Sequence, residues 1–268
     1  AALYLNDIEL NIIKERSGWK AKIGVIYIAS SLSLEREWHM ALPEDVSFHT
    51  ARISIDGDSA GKEDIWNMVN SCRVEELSRQ LASCEVDVIV FACTAGSFLG
   101  GPGWDEKLAK RISDAAGGIP ATTTSTGLLQ ALTLAGCKKI NMATPYEDNI
   151  NAEEKAFVEA MGVEVANLIG EQCALDTDIV KVSPERYACS IMEMYEKTPD
   201  IDGVFISCTN SRTIELIDVM EKKLGIPVFS SNQVSLFSAL KLIGYKGSVK
   251  GYGCSTCCRF DTLQACKL

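Results

Sequence analysis

Two cysteines in this chain stand in matching company, and a thiol is the side chain in it best suited to reaction. Val86-Asp-Val-Ile-Val-Phe-Ala-Cys93-Thr-Ala-Gly-Ser97 reads like Ile201-Asp-Gly-Val-Phe-Ile-Ser-Cys208-Thr-Asn-Ser-Arg212. In each, an apolar run ends at Cys-Thr and small polar residues follow. A thiolate is a nucleophile and a thiol is a proton donor. Two of them on opposite faces of one small molecule suit either thiolate addition or removal and return of a proton. A strand end that leads into a helix also brings backbone N–H groups close to the sulfur. That predicts a lowered thiol pKa and a seat for a carboxylate.

Other reactive patterns carry less. With only two histidines, His39 and His49, histidine-based triads and a His-rich metal site are poor readings. Cys254, Cys257 and Cys258, with Cys266 nearby, have no second spaced pair and no histidine beside them, so no metal is expected. Gly57-Asp-Ser-Ala-Gly-Lys62 has the wrong spacing for a phosphate loop, and Glu63 stands where Ser or Thr is needed. Gly100-Gly101-Pro102-Gly103, beside Cys93, reads as a mobile loop or a plain turn. Cys72, Cys84, Cys137, Cys173 and Cys189 carry no motif and read as packing.

The cysteine pair belongs to a longer duplication. Gly118-Ile119-Pro120 follows the first cysteine as Gly225-Ile226-Pro227 follows the second. Then Ala131-Leu-Thr-Leu-Ala-Gly136 corresponds to Ala239-Leu-Lys-Leu-Ile-Gly244. Strands are predicted at 22–28, 50–55, 86–92, 119–123, 139–143, 163–168, 203–207, 227–230 and 248–252. Helices are predicted near 62–83, 104–116, 126–135, 150–161, 184–197, 211–223 and 233–243. Continuous apolar runs such as 86–92 suit parallel strands buried on both faces, and strand–helix alternation implies parallel sheets. The expected fold is therefore α/β, with two similar pseudo-symmetric lobes and the active site between them. The first lobe is read as 1–138, the second as 139–250, and 251–268 as a tail crossing back to the first.

Composition sets the frame. The chain has 268 residues, 47% hydrophobic and 23% charged, with a formal net charge of −10. That charge argues against a nucleic-acid or anionic-membrane partner. No apolar run approaches the roughly 20 residues that span a bilayer, and no secretory signal is legible. Eleven cysteines, an odd number in a large chain, fit a reducing cytoplasm better than a disulfide framework.

Several stretches resemble the aspartate/glutamate racemase superfamily, and within it the branch of maleate cis-trans isomerases and arylmalonate decarboxylases. They are Ala92-Cys93-Thr94-Ala95-Gly96-Ser97-Phe98 with Gly100-Gly101, Ser207-Cys208-Thr209-Asn210, Thr123 to Leu132, and Ala143-Thr144-Pro145-Tyr146 with Asn151-Ala152-Glu153. The resemblance implies an enzyme without a cofactor that acts beside the carboxylate of a small substrate, and a homodimer. Its catalytic residues would be Cys93 and Cys208. Its substrate-binding residues would be Ser30, Ser31, Thr94, Ala95, Tyr146, Asp176, Thr209 and Asn210. In isomerases of this branch the first cysteine adds to a double bond and the second handles the proton; in racemases the pair exchanges an α-proton. Decarboxylases of the branch have only the second cysteine, so Cys93 speaks against simple decarboxylation. Ser31 and Asp176 stand where the isomerases carry asparagines, which disfavours maleate. A decarboxylase or lyase of the same fold, and a non-catalytic two-lobed binding protein, are the alternative readings.

Overall fold

Each β-strand among the described residues finds its neighbours within its own half of the chain. The computed structural model describes residues 6–11, 20–246, 249 and 252. The first sheet contains β1 (Ala21–Ile28), β2 (Val46–Ile53), β3 (Val88–Ala92) and β4 (Ala121–Thr123), in the order β2-β1-β3-β4. The second contains β5 (Lys139–Thr144), β6 (Glu164–Gly170), β7 (Gly203–Ile206) and β8 (Val228–Ser230), in the order β6-β5-β7-β8. All pairings are parallel. The two orders are one order repeated, so the duplicated sequence folds into two lobes of the same α/β topology.

The helices follow the strands: α1 (Ser33–Ala41), α2 (Lys62–Asn70), α3 (Arg73–Ala82), α4 (Thr94–Phe98), α5 (Trp104–Ala115) and α6 (Thr124–Ala135) in the first half. In the second come α7 (Asp148–Ala160), α8 (Asp176–Ile179), α9 (Pro184–Lys197), α10 (Ile214–Leu224) and α11 (Ser231–Leu242). The central strands β3 and β7 are apolar throughout and buried at every position. Helix starts follow the local code. The Ser183 hydroxyl accepts from the Arg186 N–H with Pro184 in the first turn. Thr123 and Ser230, each the last residue of a strand, cap α6 and α11 in the same way.

These two helices join the lobes. α11 lays Leu236, Ala239 and Leu240 into one cluster with Val25, Tyr27, Val88 and Val90 of the first sheet. α6 sends Leu128, Ala131 and Leu132 into a cluster with Ile140, Met142 and Phe205 of the second. Each half therefore covers a sheet of the other. Where the helices cross, a Cβ on Gly127 would lie 2.3 Å from the Val234 carbonyl oxygen, so only glycine permits the contact. Hydroxyl pairs line the same seam: Thr122 with Ser238 at 2.6 Å, and Thr124 with Ser235 at 2.8 Å.

Several sequence expectations are corrected. β2 spans 46–53 rather than 50–55, because all eight of its residues pair with β1, from Ala21 with Val46 to Ile28 with Ile53. The helix expected over 62–83 breaks at Ser71, whose extended backbone ends α2 and whose hydroxyl donates to the Met68 carbonyl. α10 begins at Ile214 rather than 211. α1 buries Ser33, Leu34, Glu37, Trp38 and Ala41, a helical spacing in which Glu37 breaks the apolar pattern when apolar residues alone are counted. Of the strand expected at 248–252 only Val249 and Tyr252 are described, and neither is in a strand. The remainder of the proposed tail, with Cys254, Cys257, Cys258 and Cys266, lies outside the described residues. The Tyr252 hydroxyl donates to the Met40 carbonyl at 3.3 Å, on the first lobe.

Candidate active site

The carboxyl ends of β3 and β7 meet across a narrow cavity, as the strand ends of open α/β sheets are expected to do. Cys93 and Cys208 both line it, together with Ser31, Thr94, Ala95, Tyr146, Asp176 and Thr209. The rest of the lining is mostly apolar: Ile28, Ile55, Ala60, Ile65 and Ile179, with Ser59. Water-sized space inside is only about 20 Å³, roughly one water molecule. Larger hollows lie on the outer surface and contain neither cysteine; the chemistry of the lining, not size, selects the site.

Cys93 is the N-cap of α4, and its sulfur accepts from the Gly96 N–H at 3.4 Å. A Cβ on Gly96 would press on Phe91 at 3.0 Å and on the Cys93 sulfur at 3.3 Å, which accounts for glycine there. The Thr94 hydroxyl donates across the lobes to Ser231 at 2.9 Å. Cys208 is held differently. No helix follows it directly; it sits in a turn with φ +81°, and its sulfur accepts from the Asn210 N–H at 3.4 Å. A non-glycine residue in that region costs on the order of 1–3 kcal/mol.

The restraint on Cys208 comes from the first lobe. The Tyr27 hydroxyl donates to the Thr209 carbonyl at 3.0 Å, and the Thr209 hydroxyl donates to the Ala92 carbonyl at 3.1 Å. The Ser33 hydroxyl donates to the Asn210 carbonyl at 2.6 Å, and the Asn210 side chain accepts from the Leu32 N–H at 2.9 Å. At about 0.5–1.5 kcal/mol each, these buried bonds outweigh the strain. Glu37, fully buried, adds a further brace. Its carboxylate accepts from the backbone N–H groups of Thr213 and Ile214 at the start of α10, and from Asn232. Burial pushes its pKa up to about 7.

The expected lowering of the thiol pKa values is not found. Burial pushes Cys93 up to about 12, with the Asp176 charge adding to it. Cys208 is raised further by the same two causes, and the Asn210 N–H and the Tyr146 hydroxyl only partly oppose them. Two N–H contacts do not offset the loss of water and a nearby negative charge. Tyr146 is itself raised well above its usual value by burial, so it stays a hydroxyl donor beside Cys208. Asn151 donates to its carbonyl at 2.9 Å and anchors the Thr-Pro-Tyr segment. Asp176 is raised by burial, against the hydroxyls of Ser31 and Ser30, which donate to its Oδ2 at 2.8 Å each.

Ser30 and Asn210, expected at the substrate, do not line the cavity. Ser30 reaches it only through Asp176. Asn210 has its side chain committed to the Leu32 and Ser33 N–H groups and, as donor, to the Asp176 carbonyl at 2.8 Å. Gly100 to Gly103 form a turn away from the cavity, with Gly100 against Trp104. Sequence reasoning missed Ile55, Ser59, Ala60 and Ile65, which approach from the segment after β2. That segment is tied to the second lobe by a bridge between Ser59 and Leu175 and by the bond from the Ala60 N–H to the Ala174 carbonyl, 2.9 Å. It contains the discarded phosphate-loop look-alike, and no local pattern marked it as a cover for the site.

The family model for arylmalonate decarboxylase matches residues 41–255. The chain belongs to the arylmalonate decarboxylase family. Within this family, arylmalonate decarboxylase of Bordetella bronchiseptica is 28% identical over 67% of this chain and 75% of its own length. Maleate isomerase of Nocardia farcinica is 23% identical over 87% of this chain and 94% of its own. Among solved structures, a liganded double mutant of arylmalonate decarboxylase, glycine to cysteine and cysteine to serine, superposes with a TM-score of 0.81. It is 25% identical and covers 88% of this chain and 99% of its own.

Proposed function

We propose that the protein is a cysteine-based isomerase of a small carboxylate that works without a cofactor, with Cys93 and Cys208 as its two reacting groups. The observation that carries this reading is one thiol from each pseudo-equivalent strand end bordering one shared cavity. In cis-trans isomerisation the Cys93 thiolate adds to one alkene carbon and the electron pair moves into the adjacent carboxylate as an enediolate. The former double bond, now single, rotates. Reversal expels the thiolate, and Cys208 supplies and recovers any proton taken up at the neighbouring carbon. In a racemase, one thiolate removes the α-proton and the opposite thiol returns one to the other face. Both routes need one thiolate and one thiol at a time, held across a site shielded from water.

The Tyr146 hydroxyl, beside Cys208 and kept protonated by burial, is read as the donor to the substrate carboxylate. Thr94, Ala95 and Thr209 shape the two ends. Relatives named maleate isomerase, matching nearly the whole of their own length, support the isomerase class. The relative named arylmalonate decarboxylase supports decarboxylation as the second reading. A homodimer in a reducing cytoplasm completes the reading. Proton NMR of small carboxylates incubated with the protein in deuterated water tests it. Isomerisation or α-proton exchange that disappears in Cys93→Ala and in Cys208→Ala is the expected result. Carbon dioxide release that survives Cys93→Ala would establish the decarboxylase instead.

A further inference from the structure

Asp176 has no part in the two-cysteine chemistry, yet it borders the same cavity as both thiols and is only 6% exposed. Its orientation is built. Ser30 and Ser31 donate to one oxygen, Oδ2, at 2.8 Å each, and Asn210 holds its backbone carbonyl. A serine hydroxyl has one hydrogen, so both serines have donated theirs to this carboxylate. The Ser30–Ser31 loop is pinned in turn by Arg52, which donates to the Ala29 and Ser31 carbonyls at 2.9 Å each. Arg52 spends its charge on Glu35, 2.5 Å away. Among the described residues no Lys, Arg or His lines the cavity. The pocket thus presents a fixed acceptor and no cation of its own to face it.

We propose that Asp176 is a specificity-determining residue that receives an N–H donor of the substrate, an ammonium or an amide nitrogen. The enzyme then acts on small monocarboxylates carrying such a group and not on dicarboxylates. This rests on the two-cysteine reading above. A second carboxylate in so small a cavity would face Asp176 without water between them, and like charges so placed cost on the order of 10²-fold in affinity. An N–H donor completes the acceptor instead. The same charge bears on the thiols, since Asp176 helps to hold both in the protonated form. A cation beside it offsets that effect and favours the thiolate at the moment substrate is bound; a second anion opposes it.

Calorimetric titration of the unmodified protein with saturated, unreactive analogues tests the proposal apart from turnover. Succinate, succinamate and 4-aminobutanoate share one carboxylate and differ at the other end. Succinamate or 4-aminobutanoate should bind at least about 30-fold more tightly than succinate at pH 7.5, and which of the two leads tells amide from ammonium. In Asp176→Asn the preference should shrink at least about tenfold, with an unchanged circular dichroism spectrum. Succinate binding as tightly as both others, or no binding by either nitrogen compound, overturns the proposal; the ranking in the native protein decides even if the variant fails to fold. Failure of the isomerase reading would show separately, as NMR inactivity with binding preference intact.

Discussion

A buried thiol is a poor nucleophile until its proton leaves, and both thiols here begin protonated. Replacing Cys93 or Cys208 by Ala should lower turnover at least about 10³-fold each, because among the described residues lining the cavity these two are the only thiols; steady-state rates on the substrate found by NMR check this. With Cys93 raised to about 12 and Cys208 raised further, the thiolate fraction of the free enzyme grows throughout the neutral range. kcat/KM should therefore climb between pH 7 and 9 without a plateau, and a plateau from pH 7 upward would show the thiol already ionised in the free enzyme. Glu154 makes a separate statement about stability. It is 1% exposed, accepts from the Ser207 hydroxyl at 2.6 Å on Oε1, and has no partner for Oε2 among the described residues. Burial raises it from 4.5 to about 8. Its folded pKa lies above the unfolded one, so its contribution to stability is full below about pH 4.5 and is lost as pH rises through 8. Glu154→Gln should melt close to the parent at pH 5 and above it at pH 9, as thermal scans at the two pH values would record.

At the scale of elements, the fit between α6 and α11 decides how the lobes are joined. Gly127→Ala would push a methyl into the Val234 carbonyl and should cost about 1–3 kcal/mol of unfolding free energy, read from urea denaturation. The eight strands of the two sheets and the matching order of elements were legible, because buried runs, the Ser183-Pro184 helix start and the Gly-Ile-Pro landmarks are local signals; the caps at Thr123 and Ser230, which start α6 and α11 before the expected 126 and 233, were not read. The ends of β2 were not, since its polar residues pair along β1 for reasons that lie in β1. α1 was missed because Glu37 sits among its buried residues, and Glu37 is buried only because α10 and Asn232 need its carboxylate. The start of α10 was misplaced for the same reason: its cap comes from another helix.

Across the whole molecule, the cavity is closed by segments from both halves, so reagent must wait for them to part. Among the described cysteines, Cys72, Cys84 and Cys189 are exposed, whereas Cys93 and Cys208 are buried. Iodoacetamide should modify the exposed three at least about tenfold faster than the pair, and a bound carboxylate should slow the pair alone; peptide mass mapping over time would show the order. Rapid labelling of Cys93 and Cys208 would mean that the lobes stand open in solution. Taken by itself, the sequence determined that there are two thiols at equivalent strand ends, that the lobes share one topology, and that the chain is acidic and poor in histidine. These follow from residue type and short-range spacing. The tertiary structure alone decided the rest: that burial and Asp176 raise the thiols instead of helix ends lowering them, that Asn210 braces the turn behind Cys208, and that the segment after β2 covers the site. Each of these depends on charges and carbonyls brought together from distant parts of the chain, and no local pattern carries that information.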